Sequence, residues 1–330
     1  MIHHSTILKI KIIRSAYIEK TKWDSLVRRS TTGSIYCTYT YLSLCEGDWE
    51  AIIALENSEY VCALPVPFRT KGGVNYIYQS PLIPYLSILA QSEIKVSEEF
   101  FLNAVAHLNS YHYVAKFFVK QSPPIQLDKC ETTEHIGLAI DLQKGYTEIF
   151  KNYSSSRKGL KQAKSELSVV KSQDLDLFLK MHKELTLPKI ENIHDGQQHV
   201  MTELWRRLLQ NNELEIYFST IQSGETISGL LLGKGARELY YLESASTHEG
   251  RKLNGIALLI DYIVQEYAQS VYQYFDLGGK GPAGVAEFKL SFGSKEYSYT
   301  QYYRNNLPWY IKIPKAVLNY FGFNSGQRLY

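Results

Sequence analysis

The stretch ELYYLESASTHEGRKLNGIALLIDYIV, residues 238–264, decides the fold of the second half of the chain. It opens with the aromatic and apolar run ELYYLESAS, which is typical of a β-strand. It closes with GIALLIDYIV, an apolar segment that is typical of a helix packed on a sheet. The loop between them leads into the start of that helix, where backbone N–H groups and the helix dipole favour a bound anion. The stretch therefore predicts a strand, an anion-binding loop and an apolar helix.

The next strand-like run leads into FDLGGKGPAGVAEFKLSFGS, residues 275–294. Its residues Gly279, Gly281 and Gly284 spell G-x-G-x-x-G, the fingerprint of dinucleotide-binding proteins. That fingerprint requires a further βαβ unit and an acidic residue about 20 positions on. Only 46 residues follow Gly284, and they read as a short helix, an aromatic strand and a tail. The pattern excludes an NAD-linked enzyme, and the glycines instead predict a tight turn into a short helix over 283–292.

Hydrophobic periodicity outside these stretches gives two groups of elements in a similar order. The first group has an opening strand, a helix, a three-strand meander over 50–79, a helix in SEEFFLNAVAHLNSY and two more strands. The second begins with a helix in TEIFKNYSSSRKGLKQAKSE and continues with two helices and a second meander. This order predicts the α/β fold class, with a mixed sheet of the α+β kind, in two domains over 1–145 and 146–330.

The composition is that of a soluble globular protein, with 45% hydrophobic and 21% charged residues. The net charge of +3 is small, so we expect no DNA partner. Four cysteines without a C-x-x-C pair and scattered histidines predict neither disulfides nor a metal site. The N-terminus does not read as a signal peptide, and we expect a cytoplasmic protein. The tail LPWYIKIPKAVLNYFGF is expected to pack on the second domain, with docking at a membrane surface as the alternative.

Two motifs carry a resemblance to a known family. The loop Lys252-Leu-Asn254-Gly255-Ile-Ala257 resembles the [Q/R]-x-x-G-x-[G/A] loop of GNAT N-acyltransferases, with Lys252 where Gln or Arg is usual. The run 147–307 resembles the FemAB-type module of that superfamily, above all in its closing signature D-x-G-G followed by F-K-x-x-F-G. The first half resembles uncharacterised GNAT-type proteins of Bacteroidetes-like genomes.

The resemblance implies two GNAT-like folds in tandem and N-acyl transfer to an amine acceptor. The loop would cradle the pyrophosphate of coenzyme A, and no cofactor would be bound tightly. The donor would be an acyl-CoA or an aminoacyl-tRNA, so tRNA is one expected partner. The Fem family builds peptidoglycan cross-bridges, which indicates a small-molecule, cell-wall or polysaccharide precursor as acceptor. The altered loop keeps a second hypothesis open, a non-catalytic binding protein on a degenerate GNAT scaffold.

The candidate catalytic residues are Lys289, Glu243 and Tyr241. Lys289 lies in the F-K-x-x-F-G signature, and the resemblance implies that it stabilises the developing oxyanion. Strand alternation places Glu243 and Tyr241 on one face, so we interpret them as a base and a cleft residue.

Substrate binding is predicted at three places. The basic run Lys151, Arg157, Lys158, Lys161 and Lys164 is interpreted either as a phosphate clamp or as a solvated helix face. An acceptor cleft between the halves is expected to contain a set from the first meander: Arg69, Lys71, Tyr76, Tyr78 and Gln79. Asp276 of the D-x-G-G signature is also expected to bind substrate.

Overall fold

The computed structural model describes residues 9–71, 73–91, 97–121, 123–154, 156–189 and 195–307, without the side chains at 156–159, 189 and 195. The strands are β1 Lys9–Arg14, β2 Trp49–Glu56, β3 Glu59–Lys71, β4 Val74–Tyr78, β5 Leu89–Ala90, β6 Tyr113–Val119, β7 Glu131–Asp141, β8 Leu167–Ser172, β9 Leu214–Ile221, β10 Thr226–Lys234, β11 Glu238–Ser246, β12 Tyr274–Gly279 and β13 Lys295–Asn305. The helices are α1 Lys20–Arg29, α2 Tyr39–Cys45, α3 Glu98–Ser110, α4 Tyr146–Lys151, α5 Ser156–Glu166, α6 Leu175–Leu185, α7 Asp195–Gln210, α8 His248–Lys252, α9 Gly255–Tyr267 and α10 Ala283–Leu290.

The strands form one mixed sheet in the order β1-β2-β3-β4-β6-β13-β7-β12-β11-β10-β9-β8, and β5 pairs with β3. Most pairs are antiparallel, whereas β4–β6 and β11–β12 are parallel. The predicted α/β class with a mixed sheet is confirmed. The last strand, β13, lies between β6 and β7, so the sheet is continuous across both predicted domains. The boundary near residue 145 stays a prediction.

Local sequence signals explain several of these elements. The β2–β3 hairpin turns at Asn57 and Ser58, which adopt positive φ angles of 50° and 68°. Helix α3 begins after Ser97, whose hydroxyl accepts a hydrogen bond of 3.1 Å from the Phe100 N–H. Helix α9 buries most of its side chains against the sheet, as its apolar composition predicts.

One predicted helix is wrong. The segment after residue 146 contains two helices, α4 and α5, rather than a single one. The break buries Tyr153 between the rings of Phe150 and Phe292. The Ser154 N–H also donates to the Ser291 carbonyl, at 2.8 Å, just beyond α10. Burial of an aromatic side chain outweighs a few helical hydrogen bonds here.

The hydrophobic core joins the two halves. One cluster combines Trp23 and Trp49 of the first half with Phe178 and Trp205 of the second. A second cluster lies between α9 and the sheet. Within the described ranges, no helix is long and apolar enough to cross a membrane. The same residues contain no group of three His, Cys, Asp or Glu side chains that could hold a metal ion.

Candidate functional site

The candidate site is an opening between two parallel strands. Strands β11 and β12 pair over three residues, from Glu238 opposite Tyr274 to Tyr240 opposite Asp276. Strand β11 continues to Ser246, and its register with β10 shifts beside Leu242. Such a bulge bends a strand and increases its twist. A cavity of about 580 Å³ lies along this free part of β11.

The walls of the cavity come from four elements. Strand β11 contributes Tyr241, Glu243 and Ser244, and the α8–α9 segment contributes polar and apolar residues. Helix α10 contributes Phe288 and Lys289. Apolar side chains of α9 and β12 complete the floor, so a few polar groups converge on a mainly apolar cavity.

The predicted anion-binding loop is present at one end of the cavity. Asn254 adopts a left-handed φ of 59°, and α9 begins at Gly255. The first intrahelical bond runs from the Leu258 N–H to the Asn254 carbonyl, at 3.0 Å. The amides of 255–257 therefore lack an intrahelical acceptor. Because Asn254 and Ala257 line the cavity, these donors lie at its wall.

Gly255 has a packing reason to be glycine. A Cβ atom at Gly255 would lie 2.3 Å from Ser228 Oγ and 2.6 Å from Ser219 Oγ. Gly250 lies as close, 2.4 Å from Ser228 Oγ and 2.6 Å from Ser246 Oγ. The three serines occupy neighbouring positions on β9, β10 and β11. This small polar surface lets the loop lie directly on the sheet.

The basic residue at the loop differs from the predicted one. Lys252 is exposed at the end of α8 and does not line the cavity, whereas Arg251 does. Arg251 Nη1 donates to the Ser246 carbonyl at 2.7 Å, which holds its guanidinium beside β11. Motif alignment placed the charge one residue too late, because the turn of α8 decides which side chain faces inward.

Lys289 lies on the opposite wall. Its Nζ donates to the Gly279 carbonyl at 2.6 Å. Burial lowers the pKa of Lys289, and the nearby Asp276 carboxylate opposes that change. The ammonium is therefore partly desolvated and held at the cavity by a carbonyl of the glycine turn.

Asp276 does not bind substrate directly in this arrangement. Its carboxylate is 2% exposed and accepts hydrogen bonds from Tyr85 Oη at 2.7 Å, Tyr297 Oη at 2.8 Å and the Gly278 N–H at 2.7 Å. Burial and the Asp276 charge raise the pKa of Tyr85 well above its usual range, so that hydroxyl remains a donor. Asp276 fixes the turn whose next carbonyl, that of Gly279, holds Lys289.

Glu243 and Tyr241 both line the cavity, as predicted. Glu243 Oε1 accepts from the Ser244 N–H at 3.1 Å, and the Tyr241 hydroxyl bonds Ser244 Oγ. Burial raises the pKa of Tyr241, which therefore remains neutral. Glu243 Oε2 lies 3.6 Å from Nε2 of His182, a buried residue of α6.

Sequence reasoning missed His182. It found no metal-binding spacing around that residue and went no further. The available signal was its place on the buried stripe of α6, with Leu175, Phe178 and Met181. A polar ring on such a stripe requires a partner.

The predicted acceptor residues are not brought to this cavity. Strand β4 lies beyond β6, β13 and β7 from β12, so the first meander is far along the sheet. Arg69 contacts Glu46 at 3.2 Å and packs over the Tyr78 ring at 5.7 Å. Tyr76 packs against Tyr113, Gln79 is fully buried and Lys71 is exposed: none of the five lines the cavity.

The basic run is divided between roles. Lys164 Nζ forms an ion pair of 2.7 Å with the buried carboxylate of Asp261, which fastens α5 to α9. Lys151 and Lys161 are exposed. The side chains of Arg157 and Lys158 lie outside the described residues. Lys164 therefore has a structural role, and the clamp stays a prediction for the others.

Comparison with known proteins follows this geometry. Residues 150–290 match the family model described as acetyltransferase (GNAT) domain. No match to the sequence was found among curated proteins. A solved structure of FemX has a TM-score of 0.69 at 12% identity, over 92% of this chain and 99% of FemX.

Two further structures agree over similar lengths. A conserved protein of unknown function from Bacteroides thetaiotaomicron has a TM-score of 0.57 at 10% identity, over 90% of this chain and 100% of that one. The C-terminal domain of a protein assigned as lysylphosphatidylglycerol synthetase, from Agrobacterium fabrum, has 0.53 at 10%, over 91% and 95%. At such identities these likenesses show the fold alone. The chain therefore has a FemX-like fold, and its residues 150–290 form a domain of the acetyltransferase (GNAT) family.

Proposed function

We propose that this protein is an N-acyltransferase that moves an acyl group from an acyl-CoA thioester to an amine. The observation that carries the proposal is the opening of the β11–β12 pair. It collects the free amides at the start of α9, the Lys289 ammonium and the Glu243 carboxylate around one cavity. An anion site, an electrophile for an oxyanion and a base are the groups that acyl transfer needs.

The donor set suits coenzyme A. Its diphosphate would meet the amides of residues 255–257 and the Arg251 guanidinium, which favour negative charge at a helix N-terminus. Ile256, Leu277 and Phe288 give apolar walls for an acyl chain and its thioester arm. Bound there, coenzyme A would supply a thiolate leaving group.

The residues of the chain divide the reaction between them. Glu243 takes a proton from the acceptor ammonium, and the neutral amine nitrogen attacks the thioester carbon. Lys289 stabilises the negative charge on the carbonyl oxygen of the tetrahedral intermediate. When the carbon–sulfur bond breaks, the sulfur takes up the proton that the nitrogen loses. The products are an amide and a free thiol, so atoms and charges balance.

A second donor class has one observation in its favour. Glu243 is a carboxylate within the cavity wall, and it would pair with the α-ammonium of an aminoacyl group. The protein would then take an aminoacyl-tRNA as donor. In either case we propose a cytoplasmic reaction on an amino group of a small-molecule, cell-wall or polysaccharide precursor.

The test is calorimetric titration of the full chain with coenzyme A, acetyl-CoA and hexanoyl-CoA, together with amide hydrogen exchange. We expect binding and slower exchange of the Ser244 amide, whose N–H contacts Glu243 at the cavity. Thiol release with a panel of amines then measures turnover. Binding of aminoacyl-tRNA without binding of any acyl-CoA would favour the second donor. Binding of acyl-CoA without turnover would favour the non-catalytic scaffold, and binding of neither donor would reject the proposal.

A further inference from the structure

The imidazole of His182 lies behind the cavity wall. Its ring is 2% exposed and stacks on Phe178, with ring centroids 5.9 Å apart, and Trp205 meets it edge-on at 5.3 Å. Nε2 is buried and makes no hydrogen bond to the described residues. The Glu243 carboxylate oxygen at 3.6 Å lies just beyond hydrogen-bond distance of that nitrogen.

The two oxygens of Glu243 face different donors. Oε1 accepts from the Ser244 N–H, and Oε2 faces the imidazole of His182. Thr186 Oγ1 donates to the Ser244 carbonyl at 3.0 Å and so fastens the end of α6 to the same turn of β11. The imidazole and the carboxylate are thus mounted on elements that are joined to each other. A small rotation of the Glu243 side chain brings Oε2 within reach of Nε2.

Neighbouring polar groups are already engaged. The Tyr41 hydroxyl donates to the Leu82 carbonyl at 3.2 Å, and the Tyr241 hydroxyl bonds Ser244 Oγ. A purely structural residue on this stripe of α6 would be served better by leucine, because a buried ring nitrogen without a partner is unfavourable. The orphaned Nε2 is aimed at the one cavity carboxylate, which points to a role in the site.

We infer that His182 is the positioning residue for Glu243: its Nε2–H donates to Oε2 and holds the carboxylate where it meets the acceptor amine. The inference rests on the proposed function. In the proton-transfer step the amine loses a proton to Glu243, while His182 keeps its own. The imidazole sets the direction of the carboxylate and contacts no substrate.

Two variants separate this role from packing. His182→Gln retains an N–H donor near the position of Nε2, whereas His182→Leu retains the volume without a donor. We expect His182→Leu to lower kcat about tenfold with an unchanged KM for acyl-CoA, the size of one lost hydrogen bond. His182→Gln should stay within about threefold of wild type. A wild-type kcat in His182→Leu would overturn the inference, as would equal losses in both variants.

A spectroscopic experiment tests the pair without any substrate. In the full chain labelled with ¹⁵N-histidine, Glu243→Gln should shift the ring nitrogen resonances of His182. The exposed His199 on α7 serves as the internal control and should not shift. Unchanged His182 resonances would overturn the inference even if acyl transfer is found. A shift without any acyl-CoA turnover would support the pair while the proposed function fails.

Discussion

The two parallel strand pairs of the sheet end in opposite ways. In the first half, β4 and β6 pair at Ile77 opposite Val114, and the chain after β4 stays beside β6. The Leu86 N–H donates to the Phe118 carbonyl, and the Lys120 N–H donates back to the Leu86 carbonyl, both at 2.8 Å. In the second half, β11 and β12 separate after three pairs and leave the cavity.

Gln79 completes the filling of the first pair. Its side chain is fully buried, accepts from the Phe118 N–H at 2.9 Å and donates to the Ile83 carbonyl at 2.8 Å. Both backbone groups would otherwise be buried without a partner. The difference teaches that a parallel pair becomes a ligand site only when the returning chain leaves it open. Of the two pairs, β11–β12 has that form.

The largest expected effect is at the open pair. Lys289→Met removes the ammonium at the cavity but retains an apolar stem, and we expect kcat to fall by about 10²–10³ with a small change in KM. Steady-state thiol release measures it. Lys280→Met is the matched control, because Lys280 is exposed and pairs with Glu296 at 2.7 Å. Equal rates in the two variants would show that the open pair does not act through Lys289.

The filled pair should fail in stability rather than in chemistry. Gln79→Leu leaves the Phe118 N–H and the Ile83 carbonyl buried without partners, and we expect a loss of about 2–4 kcal/mol in the free energy of unfolding. Urea unfolding measures the loss. Gln126→Leu, at an exposed position, should change little. If Gln79→Leu keeps wild-type stability, the filling of the first pair is not structural.

A smaller effect is expected where the loop lies on the sheet. Gly255→Ala would force a methyl group toward Ser228 and Ser219, and we expect destabilisation of about 1–3 kcal/mol with weaker binding of acyl-CoA. Thermal unfolding and calorimetry measure the two effects. Gly196→Ala on α7 is the control, since a Cβ there meets nothing within 4 Å. Unchanged binding by Gly255→Ala would separate the loop from the open pair.

The smallest effect concerns the far edge of the open half. Burial disfavours the Glu215 carboxylate, but hydrogen bonds from Tyr267, Lys234, Tyr217 and Lys171 hold its pKa at about 2. Its stabilisation is therefore complete above the ordinary carboxyl pKa of about 4.3 and is lost as the pH falls toward 2.

Unfolding free energies measured from pH 5 to pH 2 test this. Glu215→Gln should show a flatter pH dependence than wild type over that interval. Glu203→Gln is the control, since Glu203 forms a surface pair with Arg207 at 2.7 Å. Parallel curves for wild type and Glu215→Gln would contradict the prediction.

Local patterns predicted the elements well and the site in part. The β2–β3 turn, α3, α9 and the short α10 follow from periodicity and capping, which act over a few residues. Glu243 and Lys289 were found because motif and alternation both place them near β11 and β12. The prediction about Arg69 failed because alternation assigns a face of a strand but not its place in the sheet. Likewise, the contact between His182 and Glu243 joins residues 61 positions apart.

The position of β13 bears on how the chain acquires its structure. Strands β6 and β7 are each hydrogen-bonded to this final strand, so neither is complete until residue 305 is available. During synthesis, about 160 residues separate the emergence of β7 from that of its partner. Until then both strands present open edges to other nascent chains. The protein is therefore expected to depend on late closure of its sheet, and fragments that end before residue 295 should aggregate.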